Sequence, residues 1–135
     1  MLYICTTVYH TIMKETLKAF LEDIRKHIPE DRIYTDELRR FAWGTDAGFY
    51  RISPQIVVRS ASEYEISEIL QAASRNGVPV TFRAAGTSLS GQAVSDSVLV
   101  VAGRNWEYIS TPDNGDTVVL QPGVIGSKVN DFLRP

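Results

Sequence analysis

Apolar residues at Leu17, Phe20, Leu21, Ile24 and Ile28 recur at i, i+3, i+4, i+7 and i+11, a spacing that gathers side chains onto one face of an α-helix. Glu22 and Lys26 form an i,i+4 pair on the opposite side, and Pro29 stops the helix. A second short helix is expected to start at the cap Thr35 and to bury Leu38 and Phe41. Residues 43–50 follow as a loop, with Gly44 and Gly48 for turning and Trp43, Phe49 and Tyr50 as aromatic anchors.

Beyond Pro54 the pattern changes from helical to extended. Gln55 to Val58 is short, apolar and β-branched, which predicts a strand. Ser62 and Glu65 match a capping box, in which the hydroxyl takes one orphan N–H while the carboxylate reaches back to another. The helix opened there places Ile66, Ile69, Leu70 and Ala73 on one face, and Asn76-Gly77 ends it. Val78 to Phe82 is the next strand, so strand, helix and strand predict a βαβ unit with a parallel pair and a right-handed crossover. Ser97 to Val101 is a further strand. Trp106 to Ser110 and Thr117 to Gln121 predict a hairpin across the turn residues Pro112, Asn114 and Gly115. Val124 to Leu133 begins a last helix with Val129, Phe132 and Leu133 on its apolar side. The expected fold class is α+β: N-terminal helices, a βαβ unit with a small parallel sheet, then a hairpin of a second, antiparallel sheet.

Composition narrows the classes. The chain has 135 residues, 44% hydrophobic and 22% charged, which excludes wholesale disorder and fibrous repeats. Its 14 basic and 16 acidic residues give a net charge of −2 without a basic cluster, so a nucleic-acid footprint is not expected. Cys5 is the single cysteine, which excludes an internal disulfide and fits a reducing compartment. No apolar run approaches the about 20 residues of a membrane span, and Met1 to His10 lacks the basic flank of a signal peptide. Met13 directly precedes the first helix, so residues 1–12 are expected to be an extension outside the folded unit.

The chemistry-bearing segment is Arg83-Ala84-Ala85-Gly86-Thr87-Ser88-Leu89-Ser90-Gly91-Gln92-Ala93. Small residues let a backbone approach a bulky anion, and successive N–H groups form a concave nest for phosphate oxygens. Thr87, Ser88 and Ser90 add hydroxyl donors, and Arg83 is a candidate counter-charge. Gly86 and Gly91 have the spacing of a P-loop, but Gln92-Ala93 replace its Lys-Ser/Thr. The dinucleotide fingerprint fails as well, because no Gly-x-Gly-x-x-Gly leads from a strand into a helix. From the residues alone, an anion cradle and an ordinary surface loop both remain open.

Phe82 to Gln92, then Val98 to Val101, then Gln121-Pro122-Gly123-Val124, resembles the FAD-binding domain of the vanillyl-alcohol oxidase / para-cresol methylhydroxylase superfamily. Within it, the chain is most similar to the branch with glycolate oxidase, D-lactate dehydrogenase and related 2-hydroxyacid dehydrogenases, and Thr45 to Val58 resembles that branch's entry into the domain. The resemblance covers about residues 43–135. It implies that Arg83, Ala84, Ala85, Gly86, Thr87, Ser88, Ser90, Gly91 and Gln92 wrap the FAD pyrophosphate, and that Pro122 and Gly123 lie against the cofactor. Many relatives carry glycines where this chain has Ala84-Ala85, so ordinary negative φ is expected there. No histidine matches a covalent attachment point, which implies non-covalent FAD.

The resemblance also implies that residues 51–135 are the first part of a longer FAD-binding domain, with 13–50 as a helical segment before it. The longer protein would then pass a hydride from a D-lactate- or glycolate-type 2-hydroxy acid to FAD, in a cytoplasmic or membrane-peripheral setting. The 1–135 chain alone is expected to bind FAD weakly or not at all, to be inactive, and to self-associate through Val98–Val101, the hairpin or the Phe132/Leu133 face. A stand-alone nucleotide-binding or protein-interaction module is the alternative. An enolpyruvyl reductase of the cell-wall type shares the cofactor fold but uses NADPH, and residues 43–58 fit it less well. Of the remaining residues, His27 is expected to cap the first helix, Asp46 and Arg51 to make turn contacts, and Trp43 and Trp106 to pack.

Overall fold

The computed structural model describes residues 15–134. The strand β4 (Val98–Ala102) carries five consecutive apolar residues, all buried, and the sheet assembles around it. A strand without a polar face must be covered on both sides, which places it inside a sheet rather than at an edge. The sheet order is β1-β2-β4-β3, with β1 Ile33–Tyr34, β2 Ile56–Ser60 and β3 Val80–Arg83. β2 and β3 are both parallel to β4, with Val58 and Phe82 each opposite Val100, while β1 pairs antiparallel with β2. The expected βαβ unit is present with one correction: its strands do not pair with each other, because β4 enters between them.

The pleat sorts the core into halves. Ile56, Val58, Val98 and Val100 face Phe20, Ile24 and Ile28 from the first helix, α1 (15–24), and its following turn, together with Ile69, Ala72 and Ala73 of α3 (Glu63–Asn76). Val57, Leu99 and Val101 face the other way, onto Tyr34 and Trp43. On α3 the sequence placed Leu70 inward, yet it is exposed and Ala72 is buried. Close packing of α3 on the sheet favours the small side chain. The capping box forms in altered shape: Ser62 Oγ accepts from the Glu65 amide, but the Glu65 carboxylate takes the Ala61 amide rather than that of Ser62. Gly77 closes the helix at φ 63°, where a side chain would be strained.

Several local expectations shift. Lys26 pairs with Asp23 at 2.9 Å rather than with Glu22. The second helix α2 (Glu37–Ala42) is capped by Asp36, whose side chain accepts from the Arg39 amide at 3.0 Å, so Thr35 is not its cap. Leu38 and Phe41 are 78% and 54% exposed instead of buried. A single short turn is anchored here by polar contacts: Arg40 Nε donates to the Pro54 carbonyl, and the Arg51 guanidinium covers the Phe41 ring at 4.1 Å. His27 is a tie between helices, with Nδ1 2.9 Å from the Tyr64 hydroxyl and Nε2 3.3 Å from Glu68.

The hairpin is β5 (Ile109–Ser110) paired antiparallel with β6 (Val119–Leu120), followed by α4 (Gly126–Phe132). It joins the sheet through Trp106, whose Nε1 donates to the Ser60 carbonyl at 3.0 Å, and the Gly123 amide donates to the Trp106 carbonyl at 2.8 Å. A Cβ on Gly123 would collide with the Gly103 carbonyl, so glycine is required there for close approach. Val98–Val101 lies wholly inside the sheet. It therefore cannot serve as an association face, which corrects that expectation; Phe132 and Leu133 remain exposed.

Arg32 bridges the start of the sheet to α3, donating from Nη1 and Nη2 to Glu65 at 2.8 and 2.6 Å. Burial alone would raise the Glu65 carboxyl, but Arg32 and the Ala61 amide hold it below the usual carboxylate range. A depressed folded pKa means the pair's contribution is complete above the unfolded value near ~4.3 and disappears as pH falls through the folded one. Urea unfolding is expected to show this acid loss in the wild type and a smaller one in Glu65→Gln. At neutral pH, Glu65→Ala is expected to lose roughly 2 kcal/mol, less than the about 3–5 of a fully buried pair because Arg32 keeps a solvated flank. Gly123→Ala is expected to cost about 1–3 kcal/mol by overpacking. Gly126→Ala, with open space around it, should be neutral or stabilising by up to about 1 kcal/mol in the same measurement.

Candidate functional site

Residues 84–97 return the chain from β3 to β4 without regular structure. Ala84 and Ala85 keep negative φ, as expected, and the left-handed turns fall at Gly86 (75°) and Gly91 (79°). Between them Ser88 organises the turn. Its hydroxyl donates to Gln92 Oε1, and its oxygen accepts from the amides of Ser90 at 3.3 Å and Gln92 at 3.2 Å. Ser88 and Gln92 are thus tied to each other. Among the described residues, the amides of Gly86, Thr87, Ser88, Leu89 and Gly91 donate to no protein acceptor, and the exposed Thr87 and Ser90 hydroxyls have no partner. Such a row of unpaired N–H groups on a glycine-rich bend can receive anionic oxygens.

The bend rests on a second loop, which the sequence marked only by its glycines and aromatics. Thr45 and Arg51 form an antiparallel bridge, and the Ile52 amide donates to the Gly44 carbonyl at 2.9 Å. The Ala47 amide then donates to the Gly86 carbonyl at 3.0 Å. A Cβ on Gly48 would lie 2.8 Å from the Leu89 carbonyl, and one on Gly91 would lie 3.1 Å from the Tyr50 ring. Gly48 and Tyr50, which the sequence marked only as a turn glycine and an aromatic anchor, are therefore residues that support the bend. Asp46 makes a turn contact, its Oδ1 accepting from the Gly48 amide at 2.8 Å.

Arg83 lies against Gly86 and is engaged by the 43–45 loop. Its Nη1 donates to the Trp43 carbonyl at 3.2 Å and the Thr45 carbonyl at 2.6 Å, and its guanidinium lies 5.1 Å from the Trp43 ring centroid. Burial lowers its pKa from the ordinary arginine value, and the nearby Asp46 charge opposes that shift.

Pro122 and Gly123 stand apart from the bend, with no hydrogen bond to residues 84–92 among the described residues. Pro122 lines an apolar cavity of about 260 Å³ with Phe82, Ile66, Ala102, Trp106 and Glu63. Phe82 adjoins Arg83 on β3, so cavity and bend share one strand end. Gly123 is committed to the Gly103–Trp106 turn.

Residues 54–135 match the family model described as an FAD binding domain. The chain is 32% identical over 121 residues to the glycolate oxidase subunit GlcD of Escherichia coli, covering 87% of this chain and 24% of that protein. It is 34% identical over 99 residues to an uncharacterized FAD-linked oxidoreductase of Mycobacterium tuberculosis, covering 72% and 20%. With the D-2-hydroxyglutarate dehydrogenase of Haemophilus influenzae the identity is 26% over 120 residues, covering 86% and 12%. The chain thus spans about a fifth to a quarter of the first two relatives' length. Among solved structures, p-cresol methylhydroxylase superposes with a TM-score of 0.68 at 11% identity, covering 91% of this chain and 24% of that one. An alkyldihydroxyacetonephosphate synthase superposes at 0.70 with 18% identity, covering 84% and 24%. These structural likenesses extend the agreement in fold, including the mixed sheet and the antiparallel hairpin. The match over residues 54–135 and the identity to these relatives make this chain a member of the FAD binding domain family of FAD-linked oxidoreductases, with FAD as its cofactor.

Proposed function

We propose that this chain is the pyrophosphate-holding part of an FAD-linked oxidoreductase that oxidises a 2-hydroxy acid of the D-lactate or glycolate type. The observation that carries it is the row of unbonded amides at Gly86, Thr87, Ser88, Leu89 and Gly91. The substrate class is supported by the names of two relatives, since glycolate and D-2-hydroxyglutarate are both 2-hydroxy acids.

In this reading the amides receive the diphosphate oxygens, and Thr87 and Ser90 add hydroxyl donors. Ala84 and Ala85 keep the approach free of bulk. Ser88 and Gln92 fix the turn, and Pro122, with Gly123 behind it, bounds the apolar side of the cofactor. The FAD is held without covalent attachment in this reading, since no histidine of this chain stands at a position that matches such a link. When bound, FAD supplies the acceptor for the substrate's hydride. This chain's residues bind and orient it; the residues that handle the hydroxy acid are assigned to the rest of a longer protein. Among the described residues no helix is long and apolar enough to cross a membrane. A cytoplasmic setting, at most peripheral to a membrane, is part of the proposal. So is self-association through the exposed Val119, Leu120, Phe132 and Leu133.

The test is a titration of the ¹⁵N-labelled chain with FAD and with ADP. Both are expected to shift the amides of residues 84–92 in weak, fast-exchange binding, and FAD alone those of 122–123. Thr87→Val and Ser90→Ala should each weaken binding about three- to tenfold, from roughly 1 kcal/mol per hydrogen bond. No D-lactate or glycolate oxidation is expected from 1–135 with added FAD. Shifts that avoid residues 84–92 would remove the assignment, and a tight yellow complex would contradict the weak affinity. Sedimentation velocity should show association growing with concentration; a monomer at every concentration would count against it.

A further inference from the structure

The end of β3 poses a physical problem. Arg83 carries a permanent charge on a planar fork, yet that fork is turned into the protein. Its Nη1 is shared between two carbonyls of the preceding loop, those of Trp43 and Thr45. Its Nε is buried without an acceptor, and Asp46 Oδ2 is buried without a donor. A Cβ added to Gly86 would run into Nη2, Cζ and Nε of the same guanidinium. The group therefore occupies the space that any side chain at position 86 would need.

We propose that Arg83 is a positioning residue: by gripping the Trp43 and Thr45 carbonyls while lying under Gly86, its guanidinium sets the bend that leaves the amides of Gly86, Thr87, Ser88, Leu89 and Gly91 free for a ligand. The proposal rests on the FAD reading only for what those amides bind. Three features make the grip specific. The Ala47 amide bonds the Gly86 carbonyl, closing a ring that runs from Arg83 through Thr45 and Ala47 back to Gly86. The left-handed φ of 75° at Gly86 lets the chain reverse over the guanidinium. The Trp43 ring backs its face, an arrangement that a planar cation fills and an ammonium does not. An anion at the outward amides would meet a shape held from behind, and the arginine charge would act through the backbone rather than by contact.

The experiment uses Arg83→Ala and Arg83→Lys in the ¹⁵N-labelled chain. Arg83→Ala is expected to speed hydrogen exchange at Ala47 by about tenfold or more and to weaken FAD and ADP about tenfold, the scale of one charge-assisted hydrogen bond. The amides of Val98–Ala102 should keep their protection in both variants, which shows the sheet intact. Millimolar guanidinium ion should restore both Ala47 protection and ligand affinity in Arg83→Ala and leave the wild type unchanged. Arg83→Lys should recover little of either.

A direct counter-charge makes opposite demands: unchanged Ala47 exchange in Arg83→Ala, and near-normal affinity in Arg83→Lys. Either result, or failure of guanidinium to rescue a variant with a protected sheet, overturns the proposal. Should Arg83→Ala not fold, Arg83→Lys decides alone: wild-type behaviour at Ala47 and toward FAD refutes the positioning role. If the wild-type amides ignore FAD while the Ala47 effect and its rescue hold, the positioning role stands and the FAD reading falls.

Discussion

Backbone N–H groups that leave a sheet need new acceptors, and the segment after β3 leaves a run of them with none among the described residues. That single constraint gives the rest of the molecule its meaning. A surface bend can satisfy such amides with water, at no structural expense. Here the bend is instead fixed from behind by hydrogen bonds, by glycines at positions of contact, and by a buried guanidinium. A shape maintained with that much support suits a preorganised receptor for oxygen atoms, which is the role proposed for it toward the FAD diphosphate.

The fold delivers this bend to one end of the parallel strands. β4 is covered on both faces, so β2 and β3 flank it and end in register, Ser60 opposite Ala102 and Arg83 opposite Val101. Loops leaving the carboxyl ends of parallel strands converge, which is the general reason ligands bind there. The residue after Phe82 is consequently the first that can look across the sheet end toward the 43–48 loop, and it is an arginine. The 43–48 loop thus supports the bend proposed to hold the cofactor, although the family match begins only at residue 54.

Much of the fold was legible in the chain. The α1 stripe, the Ser62 cap, the Gly77 stop and the strands at β2, β3 and β4 follow from period and local chemistry, and each lies where periodicity placed it to within a few residues. The bend was legible too as a loop, since Gly86 and Gly91 among small and hydroxyl residues mark turns, but its role was not, because the same composition serves ordinary surface loops. The partner of each side chain was not. Glu65 was readable as half of a capping box, yet nothing local says that Arg32, far earlier in the chain, would take it. Leu38 and Phe41 look like core by their spacing, but among the described residues no helix or strand buries them, and only the Arg51 guanidinium lies over the Phe41 ring.

Arg83 shows where the division falls. Its place beside the glycine-rich loop was a property of the sequence, which offered it as a candidate counter-charge. Direction, however, is decided by which acceptors lie within reach, and the Trp43 and Thr45 carbonyls are brought there by a loop some forty residues away along the chain. Local order determined which elements form and which residues bend, because φ preference and side-chain period act over a few neighbours. Only the tertiary structure decided which strand became central and which way a charged fork turned, because those choices depend on contacts between segments that the linear order keeps apart.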